Sequence, residues 1–234
     1  MKKDLLYQHG TLGALVPGLL NGTQPLSELL THGDFGIGTL TGLNGELIIL
    51  GGKVYQVQAS GKVAEISSGS VPFANVHFPD FGAPQPIEAR TAQVVQTKML
   101  AQIGTRNLFA AVSLHGRFAQ VRARAVKEQH RPFPGLAATA ADQAVFSRQD
   151  VTGMLMGYWS PQLYAGMASP GFHLHFLSDD HDFGGHVLDF AGVTGELATQ
   201  RFSDVQLHLP AADTEFLQAD LEGDLLADIT KAEH

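Results

Sequence analysis

Residues 171–190 read GFHLHFLSDDHDFGGHVLDF, and the spacing of the histidines in this stretch decides how the chain is interpreted. Side chains alternate between the two faces of a β-strand, so His173 and His175 point to the same side if the segment is extended. A polar run and Gly184-Gly185 follow, which is the composition of a turn between antiparallel strands. We therefore predict a β-hairpin that brings His186 close to the other two imidazoles.

Three converging imidazoles are the ligand set of an open catalytic zinc site, in which the fourth tetrahedral position is left for water or substrate. Imidazole ligands discriminate weakly among divalent metals, so spacing alone favours zinc without excluding manganese, iron or copper. Histidines beside apolar residues also occur as hydrogen-bonded core residues with no metal. The stretch predicts a metal site, with that simpler interpretation left open.

The composition limits the class of protein and its partners. The chain has 234 residues, 44% of them hydrophobic, which is enough for one large domain or two small ones. Fifteen basic and 23 acidic residues give a net charge of −8, so a small-molecule substrate is favoured over nucleic acid or an anionic membrane. The absence of cysteine excludes disulfides and thiolate ligands. No apolar run approaches the ~20 residues that span a bilayer, and no signal peptide is recognisable, so we expect a cytoplasmic protein.

The first third of the chain predicts a β-meander. Residues 36–67 contain four short apolar runs separated by turn residues, and Asn44-Gly45 is the strongest two-residue hairpin signal among them. This turn places Glu46 at the first position of a strand. Thr39 lies on the preceding strand and is expected to be its neighbour across the hairpin.

The middle of the chain predicts an irregular connection, a helix and two strands. Residues 68–86 are rich in glycine and proline, which is typical of irregular structure. Residues 87–103 carry an apolar stripe with helical spacing. Two strands are predicted around His115-Gly116. In the second, Arg122 and Arg124 share a parity that we assign to the polar face.

These elements define the predicted fold. The class is α+β, with two β-rich subdomains of mixed or antiparallel sheets, a few packed helices, and the metal site on a β-hairpin of the C-terminal part. Short helices are predicted at residues 11–20 and 25–32, and a further helix in the acidic tail from Asp213. We expect residues 1–125 and 126–234 to form the two subdomains, with a boundary between residues 125 and 150.

The histidine stretch resembles the metal motif of the α-acetolactate decarboxylase family, in the run GFHLHFLSDD followed by GGH. Residues 33–57, residues 115–134 and the C-terminal segment from Ile229 to Glu233 resemble the same family, so the resemblance covers most of the chain. It implies a zinc-dependent carboxy-lyase that converts α-acetolactate to acetoin and CO2 in a bacterial butanediol route. It also implies a homodimer.

The resemblance implies specific roles for seven residues. The zinc ligands would be His173, His175 and His186. The catalytic and substrate-binding residues would be Glu46, Arg124, Glu233 and Thr39. In such a reaction a Lewis-acidic metal stabilises the enediolate left by loss of CO2, an arginine fork orients the carboxylate, and a glutamate delivers a proton to carbon.

Two alternatives remain open from the residues. H-x-H on a strand also occurs in cupin-like metal oxygenases and isomerases, although the glutamate that cupins normally add a few residues later is missing. The second alternative is a non-catalytic β-rich module with a structural metal, although structural zinc sites tend to have four ligands. Without the resemblance, Glu46 and Arg124 would be expected on the surface. His181 and His115 receive no assigned role, and His77 and His208 are expected to be structural.

Overall fold

The structure, a computed structural model, describes residues 3–140, 143–223 and 229. Nearly half of the described residues lie in β-strands, and the helices are short apart from one of three turns. The strands are β1 (Leu5–His9), β2 (Gln24–Pro25), β3 (Phe35–Thr39), β4 (Glu46–Leu50), β5 (Lys53–Val57), β6 (Val63–Ile66), β7 (Ser70–Val71), β8 (Phe73–His77), β9 (Gln85–Thr91), β10 (Ala110–Ala125), β11 (Ala144–Ser160), β12 (Gly171–Ser178), β13 (Gly184–Arg201) and β14 (Asp204–His208). The α-helices are α1 (Leu12–Leu15), α2 (Leu26–Leu29), α3 (Ala92–Ile103), α4 (Leu136–Ala140) and α5 (Thr214–Gln218).

Two large sheets organise the described residues. The first has seven strands in the order β14-β1-β8-β3-β4-β5-β6, and only its β14–β1 pair is parallel. The second has the order β10-β11-β12-β13-β9, and β10 also pairs with β13, so four of its strands close into a ring. All its pairs are antiparallel. The predicted α+β class with mixed and antiparallel sheets is confirmed.

The core lies where the two sheets face each other and inside the second sheet. Between the sheets, Ile37 and Ile48 of the first pack in one cluster with Met156 and Leu177 of the second. Inside the second sheet, strand residues such as Phe118 pack with the buried face of α3. Each fully buried side chain of this size contributes roughly 1.5–3 kcal/mol to the free energy of unfolding. This packing sets the distance between the sheets, and the functional side chains project from both.

Two predictions of local structure in the middle of the chain are wrong. Residues 68–86 are not an irregular connection, because they contain β8, a fully buried strand between β1 and β3. The predicted helix over 87–103 begins only at Ala92. The five residues before it belong to β9, in which Ile87 and Ala89 are buried and Glu88 and Arg90 exposed. In both places, pairing with distant strands overrides the local composition.

The remaining differences concern turns and helix lengths. The connection between β3 and β4 is not a two-residue turn, because a 3₁₀ helix over Thr41–Leu43 precedes Asn44-Gly45. The helices predicted at 11–20 and 25–32 are single turns, α1 and α2. The helix predicted from Asp213 is observed only as α5, and residues 224–228 and 230–234 lie outside the described part of the chain.

The two strands predicted around His115-Gly116 are one continuous strand, β10. Gly116 allows a close approach of β13 rather than a turn, since a Cβ there would lie 2.4 Å from the carbonyl oxygen of Thr194. The polar face predicted for this strand is wrong at Arg124, which is only 5% exposed, whereas Arg122 is exposed. The pairing with β11 runs without a break through Arg122 and Arg124, so both keep one face of β10. Arg124 is buried because its end of the strand lines a cavity together with Thr39 and Glu46 of the first sheet.

The predicted subdomains, residues 1–125 and 126–234, stay a prediction. The chain passes from the first large sheet to the second between β8 and β9 and returns to the first with β14. Sheet membership alone therefore favours a division at residues 78–84 over one at 125–150. Among the described residues, no helix combines the length and the apolar character needed to cross a membrane.

His77 on β8 is completely buried between the sheets, which agrees with the structural role expected for it. Its Nδ1 lies 2.9 Å from the hydroxyl oxygen of Tyr158, and its ring packs edge-on against Phe35, Phe81 and Phe202. Removal from water disfavours the imidazolium ion, so burial lowers the pKa of His77 to about 3. The ring is therefore neutral in the folded protein at any ordinary pH.

We predict that His77 makes the protein less stable below pH 6.5. The unfolded chain binds a proton at an imidazole pKa of about 6.5 and the folded chain does not, so the free energy of unfolding falls by ~1.4 kcal/mol per pH unit between pH 6.5 and 3. Urea unfolding of His77→Gln at pH 7 and pH 5 should show a drop smaller than that of the wild type by ~2 kcal/mol. The exposed His130 provides the control, because His130→Gln should keep the wild-type drop. Equal drops in wild type and His77→Gln would contradict the assignment.

Candidate active site

The three histidines lie on the predicted hairpin, formed by β12 and β13. The turn between them is closed by Ser178, whose amide donates to the Phe183 carbonyl at 2.9 Å and whose Oγ accepts from the Phe183 amide at 3.0 Å. This register sets His175 directly opposite His186, and directly opposed residues share a face. His173 shares that face because it is two residues from His175.

The imidazoles converge as the spacing predicts. The ring centroids of His173, His175 and His186 lie 4.8–5.6 Å apart. One nitrogen from each ring lies within 4.8 Å of the other two. His175 and His186 are buried and His173 is half-buried. Their function as metal ligands stays a prediction.

A backbone contact fixes the tautomer of His175. Its Nδ1 lies 2.9 Å from the carbonyl oxygen of Leu47, and because that oxygen can only accept, Nδ1 carries the proton. In the neutral ring the lone pair is then on Nε2, the nitrogen that faces the cluster. Histidines that bind metals almost always donate their other N–H in this way. The contact also joins the two sheets, since Leu47 lies on β4.

Glu46 lies on the opposite sheet and approaches the histidines from there. It is 7% exposed, and its Oε2 lies 3.5 Å from Nε2 of His175. Thr39 lies opposite Glu46 in the β3–β4 pair, and its hydroxyl donates to the Gly45 carbonyl, next to Glu46, at 2.8 Å. Gly45 has φ +74°, and a Cβ there would meet the Val57 carbonyl oxygen at 2.3 Å, so glycine is required at this bend. Glu46 is therefore not the exposed residue that would be expected in a typical hairpin.

Arg124 completes a row of functional residues across the second sheet. It lies directly opposite His186 in the β10–β13 pair, as His175 does in the β12–β13 pair. Its Nη1 donates to the side-chain oxygen of Gln143 at 2.6 Å. Its Nε is buried and has no hydrogen-bond partner among the described residues. A guanidinium with donors left over inside a pocket is suited to an anionic ligand.

These side chains surround one cavity with about 490 Å³ of empty space, part of it open to solvent. One end is polar and includes Thr39, Glu46, Arg124, His173 and His186. The remaining wall is mainly apolar and is formed by Leu12, Leu15, Leu43, Phe73, Val126 and Leu136. A small acid with short alkyl groups matches this division of polar and apolar surface.

The donor set fits a divalent metal ion. Three neutral nitrogens suit zinc and the other metals that imidazole binds, and the tautomer of His175 presents a lone pair to the group. His173 and His186 also line the cavity, so a ligand in the cavity would reach a metal held there. Among the described residues the group consists of three histidines, the number of protein ligands in open catalytic zinc sites, and Glu46 approaches it from the opposite sheet.

The structure does not place the remaining candidate residues in the site. Glu233 lies outside the described residues. Ile229 is buried in one cluster with Leu12, Leu15 and Leu43, which belong to the apolar wall of the cavity. His181 packs near Tyr55, with ring centroids 4.6 Å apart, and is not part of the histidine group.

Two further histidines have partners elsewhere. His115 is exposed and lies 3.0 Å from Asp179. His208, expected to be structural, lies at the edge of the first sheet, where its Nδ1 is 2.9 Å from Nδ1 of His9. Neither touches the cavity.

Sequence reasoning did not identify Gln143 or the Leu47 carbonyl, the groups that hold Arg124 and His175. Gln143 lies in a stretch of low information, and a backbone carbonyl has no residue-type signal. Both contacts join segments that are distant in sequence. The alternation of β10 contained one hint, since the predicted polar face ended in a second arginine followed by the apolar pair Ala125-Val126.

Fold and site together define a class: a two-sheet β-rich protein with an open three-histidine group, an arginine and a glutamate around a small cavity. The family model for alpha-acetolactate decarboxylase matches residues 6–223. The chain belongs to the alpha-acetolactate decarboxylase family, as the resemblance implied.

Relatives and solved structures agree with this assignment. The chain is 38% identical to an alpha-acetolactate decarboxylase of Methanosarcina mazei, over 98% of this chain and 80% of the relative. It is 34% identical to one of Lactococcus lactis, over 97% of this chain and 98% of the relative. A crystal structure of alpha-acetolactate decarboxylase from Bacillus subtilis superposes with a TM-score of 0.94 at 31% identity, covering 98% of this chain and 99% of that one.

Proposed function

We propose that this protein is a zinc-dependent decarboxylase that converts α-acetolactate to acetoin and CO2. The single observation that supports the proposal most strongly is the arrangement around the cavity. Three histidines, Arg124 and Glu46 meet at one polar end of a cavity whose other walls are mainly apolar, in a chain of the alpha-acetolactate decarboxylase family.

The chemistry of the substrate defines what the site must do. α-Acetolactate is 2-hydroxy-2-methyl-3-oxobutanoate, so its carboxylate lies next to a carbon that is adjacent to a ketone. When the bond to the carboxylate breaks, its electron pair moves into the neighbouring carbon–carbon bond and onto the ketone oxygen. A proton must then be added to the carbon that carried the carboxylate. The site has to stabilise the oxygen charge and deliver that proton.

The three imidazoles would hold the metal on the polar side of the cavity. When bound there, the metal would supply Lewis-acid stabilisation of the negative charge that develops on the ketone and hydroxyl oxygens of the substrate. The Leu47 carbonyl keeps the His175 ring in the orientation and tautomer that this requires.

Arg124 would bind the substrate carboxylate and orient it. Its planar fork can make two parallel hydrogen bonds to a carboxylate, and its burial strengthens that charge interaction. Once CO2 has left, the same positive charge remains beside the polar end of the cavity. The apolar leucine wall would receive the methyl groups and limit access of water.

Glu46 is the candidate for the proton transfer. Its carboxyl group lines the cavity on the side of the first sheet, while Arg124 and the histidines line it on the side of the second. A carboxylic acid at that position could add the proton on one face of the planar carbon. Thr39 beside it donates its proton to Gly45, so its oxygen remains able to accept from the substrate hydroxyl. Glu233 is the alternative donor.

Several properties implied by the family resemblance are part of this proposal. They are the homodimer, the cytoplasmic location, the choice of zinc over other metals and the part played by Glu233. The family assignment favours a decarboxylase over a cupin-like oxygenase or isomerase. The cavity and the buried Arg124 favour an enzyme over a module with a purely structural metal.

His173→Ala is predicted to lose both the metal and the reaction. Two remaining imidazoles bind a divalent ion much more weakly than three, so metal analysis of the purified variant should find far less than one zinc per chain, and CO2 release from α-acetolactate should stop. His181→Ala in the turn of the same hairpin is the control and should keep both. Turnover by His173→Ala at the wild-type rate would remove the metal from the mechanism.

Arg124→Lys is predicted to retain zinc while kcat/KM for α-acetolactate falls at least tenfold, about 1.4 kcal/mol or more, because lysine cannot form the two-point contact with a carboxylate. Arg122→Lys, two residues away on the exposed side of the strand, should behave like the wild type. Steady-state kinetics with parallel metal analysis separates the two variants. Unchanged kinetics of Arg124→Lys would show that the role assigned to Arg124 is wrong.

Glu46→Gln is predicted to keep zinc and substrate affinity and to lower kcat by about 10²–10⁴-fold, the usual contribution of a positioned proton donor. The amide keeps the size of the side chain but has no acidic proton. Glu65→Gln on the exposed strand β6 is the matched control. If Glu46→Gln turns over like the wild type, the proton comes from Glu233 or from water instead.

A further inference from the structure

Gln143 contacts Arg124 from the position just before β11. Its side-chain oxygen accepts from Arg124 Nη1 at 2.6 Å, and the residue is half-buried. The next two residues, Ala144 and Val145, lie opposite Ala125 and Arg124. The register of β10 with β11 therefore brings Gln143 next to Arg124.

The contact leaves most of the guanidinium available. Arg124 has five N–H donors in one plane, and one of them is used by Gln143. Its Nε is buried with no acceptor among the described residues. A buried donor without a partner costs free energy, so a ligand that supplied the acceptor would bind favourably there. The hydrogen bond to Gln143 restrains the orientation of the guanidinium plane.

The chemical type of the partner matters as much as its position. A carboxylate beside Arg124 would orient the guanidinium equally well, but it would form an ion pair and compensate the charge. An amide oxygen accepts the same hydrogen bond and carries no net charge. Among the described residues, no carboxylate forms an ion pair with Arg124. The contact with Gln143 thus leaves the positive charge of Arg124 uncompensated.

We propose that Gln143 is a positioning residue that holds the Arg124 guanidinium in the plane required by the substrate carboxylate while leaving its charge uncompensated. The inference rests on the proposed function, in which Arg124 binds that carboxylate. It assigns a role to a residue that lies between β11 and α4, the helix that contributes Leu136 and Thr139 to the cavity wall. Two consequences are specific: a negative charge at residue 143 should be more harmful than loss of the amide, and both effects should require the arginine.

The first experiment compares two ligands by calorimetric titration of the zinc-loaded protein. The probe is 2-hydroxy-2-methylbutanoate, which has the carboxylate but no ketone, and the reference ligand is acetoin, which has no carboxylate. Gln143→Glu should weaken binding of the probe at least about tenfold and leave acetoin binding and zinc content unchanged, because only the carboxylate is repelled. Gln149→Glu makes the same chemical change on an exposed residue of the same strand and should change none of these.

The second experiment uses Gln143→Met, which keeps the size of the side chain and adds no charge, so it also serves if Gln143→Glu folds poorly. It should weaken probe binding roughly three- to tenfold in the wild-type background, the range of one typical net hydrogen bond. In the Arg124→Lys background it should weaken binding less than about twofold. Two residues that act through one contact are not additive, and this cycle measures that directly.

The outcomes separate the inference from the function on which it rests. Wild-type probe affinity in both Gln143 variants, or an equal effect of Gln143→Met in the two backgrounds, would overturn the positioning role. If Arg124→Lys binds the probe as tightly as the wild type, Arg124 does not bind the carboxylate, and the positioning role of Gln143 is wrong as well. If the probe effects are found but the wild type releases no CO2 from α-acetolactate, the proposed reaction is wrong while the positioning of a carboxylate site stands.

Discussion

The pairing of β13 with strands on both sides is the constraint on which the site depends. His186 lies opposite His175 of β12 on one side and opposite Arg124 of β10 on the other. Opposed residues of antiparallel strands share a face, so two imidazoles and a guanidinium form one row across the second sheet. A slip of one residue in either pair would turn a member of the row to the other face.

The second sheet alone does not complete the site. The first sheet contributes Glu46 and Thr39, and the hydrogen bond from His175 Nδ1 to the Leu47 carbonyl joins the two sheets at the histidine group. The cluster that contains Ile37, Ile48 and Leu177 fills the space between the sheets nearby. Apolar packing between the sheets therefore determines how far the acid lies from the imidazoles. The function therefore depends on the distance between the two sheets as well as on the identity of the residues.

The residues that could be identified from the sequence are those fixed by short-range rules. Two histidines separated by one residue share a face of any strand, and a glycine-rich turn returns the chain within a few residues, so the convergence of His173, His175 and His186 was predictable. Arg124 was assigned correctly to the cavity only through the family resemblance. Its alternation pattern predicted a polar face, and residues of the first sheet cover that face at this end of β10. Similarly, no local pattern reveals β8, because its partners β1 and β3 come from distant parts of the chain.

The proposed function depends most on a metal held by the histidine group and required for the reaction. The most direct measurement is a titration of chelator-treated, metal-free protein with zinc while CO2 release from α-acetolactate is recorded. We expect no turnover without metal, a linear rise on addition of zinc, and a plateau at one equivalent per chain. Full turnover by the metal-free protein would contradict the proposed function.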